Sequence, residues 1–459
     1  MRPLVPILGL LLLAACAGQR PTAPPQAEVT PPPSWHTDPG VPAGEIDATW
    51  WQSFNNPALT QVVVDALEHN LDLAIAITRI AQARAQFHLA QAQRLPDVVG
   101  DAGGRRDRDL NPGFGIPERQ TAGEGDITIS YDLDLFGRLT EASEAARALW
   151  LSSEAARDTV RLAVAASAAG GYISLCALRD RFAVLQSTLE ARADSLKVAR
   201  QRARAGYSSQ LDLAQADADY RDTEQLIPAA QLAISQQEDG LSLLLGDNPR
   251  EIACDGGLHT ITLPAVPGAV PASLMRHRPD IMAAEQQLVA ADHSLDSARA
   301  AFMPDIQISA SGGEVASNII ESPVALWSLG GSALAPIFDS GRLQAQQDAA
   351  AAARDSSAFA YRKAALTAFR EVEDALATMR RSGERDNALR AERDILAKTL
   401  ALATNRYRSG YSPYLDQLDA QRGLLTVDLA LVQARTDRLS AAINLYQALG
   451  GGWQEAATP

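Results

Sequence analysis

The sequence predicts an α+β fold made of two structural repeats, each with long helices and two β-strands suited to a membrane. Three observations predict it. Short motifs recur at a constant offset of 204 residues, two proline-free segments are long enough for very long helices, and strand-length segments alternate apolar and polar residues. With four strands per chain, the sheet is too small to close a barrel alone, because small barrels need about eight strands.

The N-terminus has the pattern of an export signal. Arg2 is followed by an apolar run from Leu4 to Leu13 and by small residues before Cys16. The run is too short to cross a membrane, so residues 1–15 are predicted to be a signal peptide. The tetrapeptide Leu13-Ala14-Ala15-Cys16 resembles a bacterial lipobox, which implies cleavage before Cys16 and acylation of that residue. An ordinary signal peptide cut nearby, with Cys16 incidental, is the alternative.

Residues 16–48 are rich in proline and small polar residues, which predicts an extended tether without a core. The formal net charge is −14 and the pI is near 5.0, which argues against a nucleic-acid partner. After the signal, the sequence contains no run of apolar residues that we expect to form a transmembrane helix. A lipid-anchored protein without such a helix either hangs from its lipid or spans a membrane as strands.

Two copies of one unit make up the rest of the chain. Residues 204–208 (RAGYS) match residues 408–412 (RSGYS), and Gly137-Arg138-Leu139 matches Gly341-Arg342-Leu343 at the same offset. We therefore predict one repeat at 49–246, a connecting segment at 247–270, a second repeat at 271–450, and a C-terminal tail at 451–459.

The helices follow the same order in both copies. Asn56-Pro57 predicts a helix start, and the helix should run to about residue 93; Arg278-Pro279 begins its counterpart. Proline is absent from residues 139–204 and from 343–409, so each segment predicts one helix of roughly 100 Å at about 1.5 Å per residue. Return helices are expected at 209–245 and 413–449.

The strand-length segments have the alternating pattern of transmembrane strands. From Ile127 to Leu135 every odd position is apolar and every even position polar, and Ile306 to Ser309 alternate likewise. This period fits a tilted transmembrane strand with one face toward lipid, although a half-buried strand of a soluble sheet has the same period. Unpaired backbone groups in lipid cost several kcal/mol each, so the open edges must be completed by further copies of the chain.

The two remaining cysteines and the histidines are candidates for a disulfide or a metal site. Cys176 and Cys254 could form a disulfide in an oxidising periplasm, or they could be two isolated small apolar residues. The six histidines form no i,i+4 metal pair, and no nucleotide-binding or nucleophile-elbow motif is present. We therefore expect no enzymatic activity, no cofactor and no metal site.

In order along the chain, several motifs resemble the TolC/OprM-type outer-membrane factor family, and more closely its lipidated efflux branch. The resemblance covers about residues 47–450. The motifs are Trp50-Trp51 with Phe54 before Asn56-Pro57, Asn70-Leu71-Asp72-Leu73, Arg278-Pro279-Asp280-Ile281, Phe338-Asp339-Ser340-Gly341-Arg342, and Tyr414-Leu415-Asp416 with Leu418-Asp419-Ala420-Gln421.

The resemblance implies a homotrimer in the outer membrane. Twelve strands, four per chain, would form one β-barrel, and twelve helices would continue it as a periplasmic α-barrel, with residues 247–270 in an equatorial belt. The implied partners are a periplasmic adaptor (membrane fusion protein) and an inner-membrane pump of the resistance-nodulation-division type. The implied function is a passive, gated exit duct for small toxic compounds. An exit duct for type I protein secretion and a helical lipoprotein scaffold without a pore are the alternatives.

The two hairpin turns are the first candidate site. Gly206 and Gly410 suit the left-handed residue that ends a helix, and Ser412 is expected to cap the next helix, with Pro413 at its first position. Turn chemistry does not explain arginine and tyrosine at both tips. By resemblance these tips face the adaptor, through Arg204, Gly206, Tyr207, Arg408, Gly410 and Tyr411.

The second candidate site is a periplasmic gate. By resemblance, Leu415, Asp416, Asp419 and Arg422 align with the constriction of the family. Spacing of three places Asp416, Asp419 and Arg422 on one helical face, where Asp419 and Arg422 could also pair locally. Around a threefold axis the aspartates would attract cations, and Arg422 is expected to form ion pairs between subunits. The first repeat contributes Asp212.

Overall fold

The computed structural model describes residues 24–37, 44, 46–110, 117–254, 256–266, 268 and 270–454. The predicted signal peptide, the lipid-attachment residue Cys16, part of the tether and the last five residues of the tail lie outside these ranges. The chain divides into two compact units. One comprises Met1–Thr30, Gln86–Leu149 and Ala284–Lys363, and the other comprises Pro31–Ala85, Trp150–Ala283 and Ala364–Pro459.

The elements recur in the same order in both repeats, which confirms the predicted duplication. The first repeat contains α1 (Pro57–His69), α2 (Leu71–Ala92), β1 (Asp97–Leu110), β2 (Pro117–Asp132), α3 (Arg138–Arg204), α4 (Gln210–Glu224) and α5 (Leu226–Leu244). The second contains α6 (Pro271–His277), α7 (Pro279–Ala300), β3 (Asp305–Ser317), β4 (Val324–Leu334), α8 (Arg342–Arg408) and α9 (Tyr414–Ala448). Helices α3 and α8 each have 67 residues.

Two helices that the sequence predicts as continuous are broken. Asn70 separates α1 from α2, because its Oδ1 accepts the Leu73 N–H at 3.1 Å and its Nδ2 donates to the Leu244 carbonyl at 2.9 Å. Gln225 separates α4 from α5, and Pro228 in the first turn of α5 explains the break, since proline has no N–H for the helix ladder. The second repeat has Val432 there, and α9 is continuous.

The strands form one antiparallel sheet with the order β1-β2-β3-β4. Strand β2 is longer than the predicted Ile127–Leu135 segment and ends at Asp132. Asp134 lies beyond the strand with a φ of 45°, and its carboxylate accepts the N–H groups of Leu139 and Thr140 at 2.9 and 2.7 Å. Asp134 therefore caps α3, and the alternation that suggested a strand continues past the strand end.

The second unit has a core of small residues between helices and an aromatic cluster. Alanines buried on the long helices include Ala168, Ala169, Ala365, Ala368, Ala434 and Ala442. Such small side chains let helix backbones approach closely. Trp50 is buried and stacks on Tyr446 with ring centroids 5.1 Å apart. The connecting segment is held to α3, where Asp180 accepts the Leu258 N–H at 2.9 Å.

Candidate functional site at the hairpin ends

Both helical hairpins turn by the same backbone motif. Gly206 and Gly410 have φ values of 76° and 81°. The N–H of Tyr207 donates to the Arg202 carbonyl, and the N–H of Tyr411 donates to the Arg406 carbonyl, both at 2.9 Å. This is the helix ending in which a left-handed glycine lets the following N–H satisfy a free carbonyl.

The turns expose the side chains that the sequence places there. Tyr207 and Tyr411 are 78% and 79% exposed, and Arg204 and Arg408 are also exposed. Tyrosine and arginine are among the residue types that are enriched at protein–protein interfaces. The structure thus presents two similar tips on one chain.

The expected cap of the second return helix is absent. Helix α9 begins at Tyr414 with Pro413 as its N-cap residue, which offers no side-chain hydrogen bond. The hydroxyl of Ser412 is buried without a hydrogen-bond partner. In the first hairpin, Ser209 does cap α4, because its Oγ accepts the Asp212 N–H at 3.0 Å. The prediction that Ser412 caps the helix was therefore wrong, since Pro413 takes the N-cap position.

The predicted gate residues lie together on one face of α9. Leu415, Asp416, Asp419 and Arg422 are all exposed. The opposite face is buried and contains Tyr414, Gln417, Leu418 and Gln421. Helix α9 therefore has one face held inside the protein and one face that carries the predicted gate. Asp212 lies apart from this set, in the first turn of α4, where a carboxylate complements the helix dipole.

A buried charge cluster lies directly behind the gate face. Asp219 of α4 is fully buried, and its Oδ2 lies 3.0 Å from Nε of Arg192 on α3. Its other oxygen, Oδ1, lies 3.3 Å from Nε of Arg422 on α9. Burial raises the pKa of Asp219, because losing water costs the charged form more than the two arginines return. Arg422 thus contacts the first repeat of its own chain.

Polar contacts also join α9 to α3. The side-chain amides of Gln417 and Gln421 both donate to Oγ of Ser195, at 3.0 and 3.1 Å. Their carbonyl oxygens are buried without hydrogen-bond partners. Buried acceptors of this kind are rare in proteins, and each costs roughly 1–3 kcal/mol.

An aromatic pair lies close to the turn. The rings of Tyr407 and Tyr414 meet edge-on with centroids 5.4 Å apart, and Arg202 packs over the Tyr407 ring at 4.8 Å. Arg202 also donates to the Tyr407 carbonyl. Burial raises the pKa of Tyr414 to about 12. Both tyrosines stay neutral at physiological pH, and they fasten the second tip to the first hairpin.

Sequence reasoning missed Arg192 and Asp219. The spacing was a signal in the sequence, since Leu185, Arg192 and Ala199 recur every seven residues. The structure buries all three. Asp219 follows Ala216 by three residues and precedes Thr223 by four, which places all three on one helical face. Arg192 lies on the buried face of α3 and Asp219 on the buried face of α4, and two opposite charges on such faces predict a buried ion pair. The sequence does not show which helices pack against each other.

The sheet has two chemically distinct faces. One transverse row contains Val98, Ile129, Ala310 and Leu329 on successive strands, and the neighbouring row on the opposite face contains Val99, Thr128, Ser311 and Ser328. The hydroxyls of Ser311 and Ser328 contact each other at 2.9 Å. A sheet that is apolar on one face and largely polar on the other fits a boundary between lipid and water.

The two candidate cysteines are joined in the structure. Cys176 and Cys254 form a disulfide, with Cα atoms 5.5 Å apart, that links α3 to the connecting segment. Among the described residues, no cluster of three His, Cys, Asp or Glu side chains could hold a metal ion. One described helix, Arg138–Arg204, has a window apolar enough to cross a membrane, but half of that window is buried in protein.

The profile of the outer membrane efflux protein family matches residues 62–247 and again 270–451. The chain belongs to this family. It is 34% identical to the solvent efflux pump outer membrane protein SrpC of Pseudomonas putida, over 98% of each chain. It is 35% identical to the outer membrane protein OprJ of Pseudomonas aeruginosa, over 89% of this chain and 88% of that protein. The family predicted from the motifs is confirmed.

Solved structures of the family have the same fold. The outer-membrane channel OprN superposes with a TM-score of 0.86 at 27% identity, over 96% of this chain and all of that one. The channel VceC of Vibrio cholerae superposes with a TM-score of 0.82 at 26% identity, over 88% of this chain and 99% of that one. The protein is therefore an outer-membrane efflux channel, as the sequence predicts.

Proposed function

We propose that three copies of this chain form one trimeric channel that serves as the exit duct of a tripartite efflux system. The observation that carries the proposal is the open sheet. Strands β1 and β4 are its edges, and each has one strand neighbour among the described residues. Open edges are not tolerated in lipid, so β4 of one copy would pair with β1 of the next.

The trimer follows from the family resemblance rather than from the sheet alone. Three copies would supply twelve strands, which is enough for a barrel with an aqueous interior, whereas four strands are too few. The row containing Ile129 would face lipid, and the row containing Thr128 would face the lumen. By family resemblance, the long helices of the three copies would form a periplasmic tunnel.

The cargo is proposed from the relatives. Their names describe efflux of solvent, toluene and antibiotics, and pyoverdine export. We infer that this chain passes small organic compounds that are toxic to the cell. The duct would be passive and driven by an inner-membrane pump, because the relatives are named as outer membrane proteins of efflux pumps. Acylation of Cys16 would add a lipid anchor to the barrel.

The hairpin ends are proposed to do two things. The tips around Tyr207 and Tyr411 would contact a periplasmic adaptor, because they expose aromatic and cationic side chains of the kind that interfaces use. The face with Leu415, Asp416 and Asp419 would line the periplasmic gate. Carboxylates repeated by symmetry at a constriction favour cations over anions.

Purified mature protein tests the proposal. We expect heat-modifiable, trimer-sized migration in detergent and discrete single-channel conductance in planar bilayers. A deletion strain should become sensitive to solvents, dyes and antibiotics, and a plasmid copy should restore resistance. A water-soluble monomer that never inserts into bilayers would overturn the proposal.

A further inference from the structure

The far end of the β1–β2 hairpin carries arginines on one face of the sheet. Strand β1 follows α2 and β2 precedes α3, so the helices lie at one end of these strands and the hairpin turn lies at the other. Because the helical tunnel is periplasmic, the hairpin end points out of the cell. Side chains alternate between the faces of a strand, so the face of Val98 and Ile129 also carries Arg106, Arg108 and Arg119.

These arginines lie close to one another. Arg108 is directly opposite Arg119 in the register, and Arg106 is diagonally across from Arg119. All three are exposed. Like charges directly opposite each other on two strands destabilise the pairing. An anion bound between the guanidinium groups would replace this repulsion by attraction.

The opposite face of the same hairpin carries acidic side chains. It contains Asp101, Asp107, Glu124 and Asp126. Arg105 also lies on that face, with its Nε 3.6 Å from Oδ2 of Asp107, whereas none of the three arginines on the first face forms an ion pair with another described residue. A hairpin end that met only water would not need this separation, because water solvates either sign of charge on either face.

The arginines lie at the level of lipid head groups. Tyr131 is on their face of β2 near the helix end, and aromatic residues flank the apolar band of membrane barrels. From Tyr131 to Arg119 the strand spans about 40 Å at ~3.4 Å per residue. At a tilt of about 40° this is about 30 Å along the membrane normal, compared with an apolar band of about 25 Å. Arg119 therefore lies just beyond the apolar band, on the outer side.

The acidic residue of this face is too distant to neutralise the arginines. In the described strands the face has one acidic side chain, Glu314 of β3, which lies opposite Gly125. Gly125 is about 20 Å along β2 from Arg119 at ~3.4 Å per residue. An ion pair needs a separation of about 4 Å or less between nitrogen and oxygen. The arginines are therefore free to bind an anion from outside the protein.

We propose that Arg106, Arg108 and Arg119 bind phosphate groups of lipids in the outer leaflet. Guanidinium groups bind phosphate through paired, charge-assisted hydrogen bonds. A lipid fits better than free phosphate, because the same face carries Val98 and Ile129, against which acyl chains would pack. The inference rests on the proposed orientation of the barrel, and it adds a specific contact with the membrane surface.

Binding of lipid A, a glycolipid with two phosphate groups, to the purified trimer tests the proposal. Native mass spectrometry counts the lipid that the trimer retains in detergent, and phosphatidylcholine serves as a lipid without net charge. The wild type should retain lipid A in preference to phosphatidylcholine. Replacing Arg108 and Arg119 together by glutamine should weaken binding of lipid A roughly tenfold, because the opposed pair is lost. Replacing both by lysine should weaken it less, since lysine keeps the charge without the paired geometry.

Two neighbouring residues provide the matched control. Arg106→Gln should weaken retention of lipid A severalfold, whereas Arg105→Gln, one residue away on the opposite face, should retain as much as the wild type. Inorganic phosphate at millimolar concentration is the competitor. It should displace little lipid A, because it has no acyl chains to pack against the apolar residues.

The outcomes separate this inference from the channel proposal. Equal loss for Arg105→Gln and Arg106→Gln would overturn the assignment to the outer face, and so would equal retention of lipid A and phosphatidylcholine by the wild type. Full displacement by inorganic phosphate would show a site for free phosphate and overturn the lipid assignment. In each case a conducting trimer leaves the channel standing. A wild-type protein that forms no conducting trimer would instead overturn the channel proposal.

Discussion

Val98 of β1 lies directly opposite Ile129 of β2, and the next pair along the strands, Val99 and Thr128, lies on the other face of the sheet. Adjacent residues of β2 therefore face opposite environments. Because successive residues of a strand point to opposite faces, Thr128 and Ile129 allow the two faces to be compared at nearly the same position along β2.

The first prediction uses that comparison. Ile129→Lys should destabilise the assembled barrel by about 2–4 kcal/mol, because it places a cation on the proposed lipid face. Thr128→Lys is the control on the proposed lumen face and should leave assembly nearly unchanged. The measurement is the fraction of heat-modifiable trimer in outer-membrane preparations. Equal loss for both variants would contradict the assignment of the faces.

The second prediction concerns the tip glycines. Gly410→Ala should lower stability by about 1–2 kcal/mol, because Gly410 has a φ of 81° and side-chain-bearing residues avoid that region. The nearest atom that a Cβ would meet is Arg202 Nη2 at 3.6 Å, so the cost comes from the backbone alone. Thermal unfolding of the purified trimer measures it.

Gly383→Ala is the control for that change. Gly383 lies inside α8, and an added Cβ would come no closer than 3.7 Å to the Arg438 side chain. Alanine should therefore stabilise the helix by about 0.5–1 kcal/mol. If both variants shift the melting temperature in the same direction, the left-handed turn is not the cause.

The third prediction concerns Cys176 and Cys254. Replacing both by serine should lower stability by about 4 kcal/mol, since the bond closes a long loop with a separation of 78 residues. Reductant should lower the melting temperature of the wild type and leave that of the double variant unchanged. Finding two reactive thiols in unreduced mature protein would show that the pair is not oxidised.

The fourth prediction concerns pH. Burial raises the pKa of Asp219, and the charged groups that face it are Arg192 of α3, Arg422 of α9 and Asp222 of α4. A raised pKa in the folded state means that protonation favours folding. The contribution is present at low pH and is lost as the pH rises through the raised pKa.

Asp219→Asn removes that titration while keeping the shape of the side chain. The melting temperature of the wild type minus that of this variant should therefore fall as the pH rises above the ordinary aspartate pKa of about 3.9. The exposed control Asp217→Asn should show no such trend. A difference that grows with pH would mean that the two arginines lower the pKa of Asp219 below its ordinary value.

Much of the fold is readable from the sequence, because duplication makes each element appear twice. The constant offset fixes the corresponding helices, and the alternation around Ile129 fixes the strands. The helix breaks are harder to predict from the sequence. Asn70 caps α2 through a local contact with the Leu73 N–H, but its second contact, with the distant Leu244 carbonyl, is contained in no local pattern. Pro228 was a local signal for the break at Gln225 that the repeat pattern obscured.

The gate illustrates the same limit. The face with Asp416, Asp419 and Arg422 follows from helical spacing, and all three residues are exposed. The partner of Arg422 does not follow, because Asp219 lies 203 residues away on another helix. Contacts between helices depend on tertiary packing. The sequence therefore predicts the exposed face of α9 but does not predict that Arg422 contacts Asp219.

The break at Gln225 makes the two return arms mechanically unequal. Helix α9 is an unbroken rod of 35 residues, about 50 Å long at ~1.5 Å per residue, and its far end carries Tyr446 stacked against Trp50. The corresponding arm of the first repeat keeps helical backbone angles at Gln225 but lacks the helix hydrogen bond that Pro228 cannot donate. A displacement imposed at Tyr414 would therefore be transmitted along a continuous helix to the Trp50 cluster, whereas the first arm is weakened at the hydrogen bond that Pro228 leaves out.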